Sequence, residues 1–139
     1  MRELKLTPEL VGWIKANMAD ALDLRRVRIV VQPKIPFDWL PGDRGQYVGI
    51  TLWDQIWLRE PFELNSPDAY ELLFHELVHV RQFQRHPVKF PLMYILNLRI
   101  KGYRSNPYEV EARAVAASMR RKYFGAGRVE TNAELNAAT

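Results

Sequence analysis

Five consecutive residues constrain this chain more than any others: His75-Glu76-Leu77-Val78-His79, an H-E-x-x-H motif. On a helix rising about 1.5 Å per residue, histidines four apart lie about 6 Å apart on one face. Both imidazoles can then reach a single ion at about 2.0–2.1 Å. Glu76 falls between them in angle, beside the ion, where a carboxylate can take a proton from bound water. The flanking Leu72, Leu73, Phe74, Leu77, Val78 and Val80 make the helix apolar around most of its circumference, which predicts a buried core helix. Two imidazoles and a carboxylate buried there without partners would be costly. A divalent cation removes that cost. The competing reading is two core histidines hydrogen-bonded to backbone, beside an incidental glutamate.

The chain has no cysteine, which removes disulfides, thiolate ligands and a cysteine nucleophile together. Any metal must be held by His, Asp or Glu. A length of 139 residues at 47% hydrophobic content predicts a single domain, assigned to residues 1–124, with 125–139 as a flexible tail. The first ten residues lack the apolar core of a signal peptide. The apolar run at 90–100 is interrupted by Asn97 and Arg99 and is too short to span a bilayer. The expectation is a soluble, cytoplasmic protein with no membrane partner. The net charge of +4 is spread over several clusters, such as Arg25, Arg26 and Arg28, or Arg120, Arg121 and Lys122. Solvated faces account for that pattern, so nucleic acid is the less favoured partner.

Local signals give the architecture. Thr7-Pro8-Glu9 starts a helix whose apolar stripe (Leu10, Val11, Ile14, Met18, Ala21, Leu22) predicts an end near Asp23. Val27, Ile29 and Val31 alternate as a strand stopped by Pro33, and residues 46–52 and 55–59 read as two strands paired around Trp53-Asp54. Between them runs a Pro- and Gly-rich loop carrying Phe37, Trp39 and Leu40, which either tuck onto the core or rim a cleft. Ser66-Pro67 launches the motif helix and His86-Pro87 ends it. Residues 90–103 predict a further helix broken at Gly102, its Phe90, Leu92, Met93, Tyr94, Ile95, Leu96, Leu98 and Ile100 read as core rather than as a specificity pocket. Asn106-Pro107 starts the last helix, running to about Phe124. The expected fold is α+β and zincin-like: a small mixed or antiparallel three-stranded sheet on a buried H-E-x-x-H helix, with about four helices.

A catalytic zinc needs a third protein ligand, with water in the fourth position. His86 lies seven residues past His79, one too many for H-E-x-x-H-x-x-G-x-x-H, and Gln82 stands where that pattern needs glycine. Glu109 and Glu111 both open the last helix. Glu109 shares its lane with Ala112 and Ala116, small residues that allow close helix packing, whereas the lane of Glu111 is more polar. Packing favours Glu109, with Glu111 as the alternative. Asn106 and Glu109 also have capping-box spacing, which would give the glutamate a purely local role.

Two histidines and a glutamate on a following helix resemble the gluzincin branch of zinc metallopeptidases, in which E-x-E-A segments such as Glu109-Val110-Glu111-Ala112 supply the third ligand from their first glutamate. HELVHVRQ (75–82) followed by GY…NPYEVEA (102–112) is similar to small stand-alone minigluzincins and to zincin domains associated with toxin and injection systems. The resemblance covers roughly residues 46–121. Related enzymes often carry Asp four residues after the ligand glutamate to support a histidine; here that position is Arg113.

The resemblance implies a zinc metalloendopeptidase acting on a peptide or protein substrate, with Zn2+ on His75, His79 and Glu109 and Glu76 as general base. Tyr103 and Tyr108, near the expected ligand, are the candidates for stabilising the oxyanion, with Arg81 and His86 behind them. The alternative is a non-catalytic domain in which zinc staples the core and the surface serves protein interaction. An edge strand beside the motif helix would hold an extended peptide by main-chain hydrogen bonds.

Overall fold

In a computed structural model of the protein, residues 1–18, 22–36 and 48–125 are described. The loop residues Phe37, Trp39 and Leu40, and residues 126–139 of the expected tail, lie outside these residues.

Among the described residues the chain is α+β, with four helices and a four-stranded mixed sheet. Strands β1 (Arg2–Glu3), β2 (Arg28–Gln32), β3 (Gly49–Leu52) and β4 (Gln55–Arg59) lie in the order β1-β2-β4-β3. The β2–β4 pair is parallel and the outer pairs are antiparallel. The sequence predicts three strands; β1, with two residues, is too short to show any alternation. Period two is visible in β4, where Ile56 and Leu58 are buried and Gln55, Trp57 and Arg59 are half-buried. Its hairpin with β3 turns at Trp53-Asp54 as expected, with Leu52 opposite Gln55. Trp53 sits at φ 53°, a backbone region few bulky residues adopt. Its indole Nε1 donates to the Pro87 carbonyl at 3.1 Å and its ring packs on Phe83, so tertiary contacts hold that conformation.

Helix α1 (Pro8–Asn17) is capped by Thr7, whose Oγ1 accepts from the Leu10 N–H. It stops short of the expected Asp23, although Met18 continues the apolar stripe into the core. The backbone of Asp23 is claimed instead by Gln84: its N–H donates to Gln84 Oε1 at 2.7 Å and its carbonyl accepts from Gln84 Nε2. Asp23 then caps a 3-10 turn at Leu24–Arg26. Trp13 of α1 stacks on Phe74 and meets Tyr123 edge-on.

Helix α2 (Pro67–Arg85) begins where Ser66 Oγ accepts from the Ala69 N–H and ends at His86. It is the centre of the core: Leu73, Phe74, Leu77, Val78 and Val80 are fully buried, in one cluster with Ile29, Val31, Ile56 and Leu58 of the sheet. Helix α4 (Pro107–Gly125) packs along α2 through Ala112 and Ala116, both with no exposed surface, so the small-residue lane works as predicted.

Helix α3 (Lys89–Ser105) corrects an expectation. Only Phe90 of this helix is buried; Leu92, Ile95, Leu96 and Ile100, read as core, are 64%, 56%, 48% and 70% exposed. The helix touches the body along one narrow face, and none of the described elements covers the other. At Gly102 the chain takes φ 78°, a left-handed step open to glycine, and turns into α4.

Candidate metal centre

The motif residues lie in mid-helix on α2, held by the apolar packing around them, and α4 delivers Glu109 to the same place. His75, His79 and Glu109 each offer one ligand atom, all within 4.8 Å of one another. His75 Nε2 lies 2.9 Å from Glu109 Oε1, His79 Nε2 lies 3.1 Å from Glu109 Oε2, and the two Nε2 atoms are 3.2 Å apart. Ligands at about 2.0–2.1 Å from a tetrahedral ion are separated by about 3.3 Å. Each imidazole therefore stands within a few tenths of an ångström of that spacing from the other imidazole and from one of the two Glu109 oxygens. Nitrogen and oxygen donors of this kind suit zinc among other divalent metals.

The capping-box role is not taken up by Glu109. Asn106, with no exposed surface, caps α4 alone, its Oδ1 accepting from the Tyr108 N–H at 3.1 Å while its Nδ2 donates to the Tyr94 carbonyl. That leaves the Glu109 carboxylate free to face the two imidazoles. Glu111 is exposed, accepts from Gln82 Nε2 at 3.1 Å and lies 3.8 Å from Arg81, outside the cluster.

The surrounding shell was only partly foreseen. Gln82 Oε1 lies 2.8 Å from His79 Nδ1, and Gln82 is itself fixed by Nε2 donating to the Tyr108 carbonyl. With Nδ1–H directed at Gln82, the lone pair of His79 Nε2 points at the cluster. Gln82 thus supplies the histidine support that Arg113 cannot. The phenol reaching Glu109 is that of Tyr94, donating to Oε2 at 2.6 Å. Tyr108 stacks edge-on against Phe90 and contributes its carbonyl, while Tyr103 lies exposed beside the Gly102 kink. His86 is exposed at the end of α2, the capping position. One signal for Tyr94 existed in the sequence: its place at i+4 from Phe90, on the lane that α3 buries.

Electrostatics fit a site that wants a cation. Burial alone would lower the pKa of His79, but hydrogen bonding to Glu109, the nearby Glu76 and Glu109 charges and Gln82 outweigh it and raise it to about 9. Burial likewise opposes ionisation of Glu109, yet hydrogen bonds from His75, His79 and Tyr94 hold its carboxyl well below the usual range. Glu76 is fully enclosed, and burial raises its carboxyl despite the neighbouring imidazoles. The ionised Glu109 carboxylate is balanced there by positive charge, from a proton on His79 or from a metal in its place. Glu76 abuts the edge strand: a Cβ built on Gly49 of β3 would lie 3.4 Å from Glu76 Cγ. His75, with 16% of its side chain exposed, marks the open side of the cluster, against 8% for His79 and 3% for Glu109.

No protein-family model matches the chain, and neither does any curated protein or solved structure.

Proposed function

We propose that the protein is a zinc-dependent peptidase of zincin type, with a gluzincin-like ligand set of His75, His79 and Glu109. The observation that carries the reading is the convergence of two Nε2 atoms and one carboxylate at near-coordination spacing, with a second, buried carboxylate beside them that is not a ligand. Structural zinc sites are usually closed by four protein ligands, whereas three with an open side is the catalytic pattern.

Zinc held there would acidify its water and polarise a substrate carbonyl. Glu76 supports the proton traffic. Its carboxyl, raised by burial, is suited to accept a proton and return it to the leaving amine. Tyr94, donating to Glu109 Oε2, is better situated than Tyr103 or Tyr108 to assist charge development at the cluster. Among the described residues β3 is the sheet edge next to α2, the position from which a strand can pair with an extended peptide. An open trough of about 750 Å³ lies at the start of α2, lined in part by Val48, Asp68, Ala69 and Leu72 but by none of the three cluster residues.

The test is elemental analysis of the purified protein and of His79→Ala, followed by peptide-library digestion with and without chelator. About one zinc per chain, lost in His79→Ala, is expected. Chelator-sensitive cleavage that Glu76→Gln abolishes while retaining zinc supports the peptidase. Full zinc occupancy with no cleavage of any peptide would leave a metal-stapled interaction domain instead.

A further inference from the structure

The exposed side of α3 is a second feature that the metal centre does not use. Val88, Leu92, Leu96 and Ile100 recur every four residues and Ile95 lies beside them, all between 48% and 70% exposed. Such a run of large apolar side chains on one helix face is a contact surface rather than scatter. Lys89 stands at one end of the stripe, and Arg99, Lys101 and Arg104 at the other. Residues 88–105 contain no Asp or Glu, and none of these four cations is ion-paired to a carboxylate among the described residues.

We infer that α3 is an interfacial helix that docks the protein onto an anionic lipid surface. Apolar side chains of this size enter the boundary between headgroups and acyl chains, while the flexible stems of Lys and Arg let their charges reach lipid phosphates. Charge decides between occupants. A second copy laid on the same face would bring four more cations and no anion, whereas an anionic leaflet supplies the missing charge. Shape points the same way. The stripe stands on a single helix with no second wall among the described residues, a ridge that a flat bilayer accommodates and that a partner helix, which needs a groove, does not. No described helix is long and apolar enough to cross a membrane, so the contact lies on the surface. This revises the expectation of no membrane partner, which rested on the lack of a spanning segment. The opposite face of α3 carries Phe90 and Tyr94 to the metal ligands, so docking would hold the cluster about one helix diameter, roughly 10 Å, from the lipid.

The test is vesicle flotation of the full chain on pure phosphatidylcholine and on vesicles with about a third phosphatidylserine. Wild type is expected to bind the anionic vesicles roughly tenfold or more tightly, and to be released by raised salt. Leu92→Ser with Ile95→Ser and Leu96→Ser should abolish binding, and Arg99→Glu with Lys101→Glu should remove the preference for phosphatidylserine. Both variants change exposed residues, so unchanged melting confirms that they fold. Equal binding to both vesicles, no binding, or binding that survives both variants overturns the proposal. Sedimentation velocity names the rival: a dimer dissolved by the triple variant, without lipid binding, makes a second copy the occupant. Binding to an acidic protein without lipid binding refutes it equally.

Discussion

Tyr94 donates its phenolic proton to Glu109 Oε2 at 2.6 Å, on a carboxylate whose Oε1 lies 2.9 Å from His75. The phenol thereby occupies one oxygen and orients the other. Removing it should loosen the ligand without unfolding the protein, because the ring contacts with Phe90 and His79 survive in phenylalanine. For Tyr94→Phe, zinc affinity measured by chelator competition is expected to fall about 10- to 100-fold, with melting of the metal-free protein nearly unchanged.

Gln82 acts on the other histidine. Gln82→Ala deletes the acceptor of His79 Nδ1 and leaves a buried imidazole N–H without its partner. Zinc affinity should again drop about 10- to 100-fold, and stability should fall by about 1–3 kcal/mol, read from denaturant titration of the metal-free protein. An unchanged affinity would mean that packing alone orients His79.

Gly49 tests how closely the sheet edge rides on the motif helix. A Cβ there would meet Leu58 Cδ2 at 3.0 Å and Glu76 Cγ at 3.4 Å. Gly49→Val should destabilise by about 1–3 kcal/mol through overpacking, with Gly49→Ala milder, as measured by thermal melting. Both should impair turnover more than zinc binding, since Glu76 is not a ligand.

The pH dependence has a defined sign. His79 is raised from 6.5 to about 9, so in the metal-free protein its contribution is complete below pH 6.5 and is lost as pH climbs through about 9. Glu109 is lowered from 4.5, so its contribution is present above that value and is lost on acidification. Burial raises the Glu76 carboxyl, which acts in the same direction as His79 and favours the lower part of the window. Metal-free stability should therefore peak between about pH 4.5 and 6.5. Zinc must displace the His79 proton, so the gain in melting temperature on adding zinc should grow from pH 6.5 towards 9.

Much of the site was legible because its signals are local. His75, Glu76 and His79 are fixed by helical periodicity, and Glu109 by the alanine lane that lets α4 approach α2. Gln82 was visible only as a residue excluding another pattern, since which side chain meets Nδ1 of His79 depends on rotamers that spacing does not encode. Tyr94 escaped because α3 was read as core throughout, and composition cannot say which side of an apolar helix is covered. The hold that Gln84 takes on the Asp23 backbone, from 61 residues away, was likewise hidden. Strand β1 gains its register from β2, not from any pattern of its own.

The Glu109 carboxylate follows His75 by 34 residues, on α4. During synthesis the imidazole pair leaves the ribosome well before Glu109 and can offer a metal only two protein donors. Full coordination, and any hydrolytic capacity that depends on it, must wait until α4 has emerged and packed on α2. The order of elements along the chain thus withholds the three-residue cluster until α4 has packed against α2.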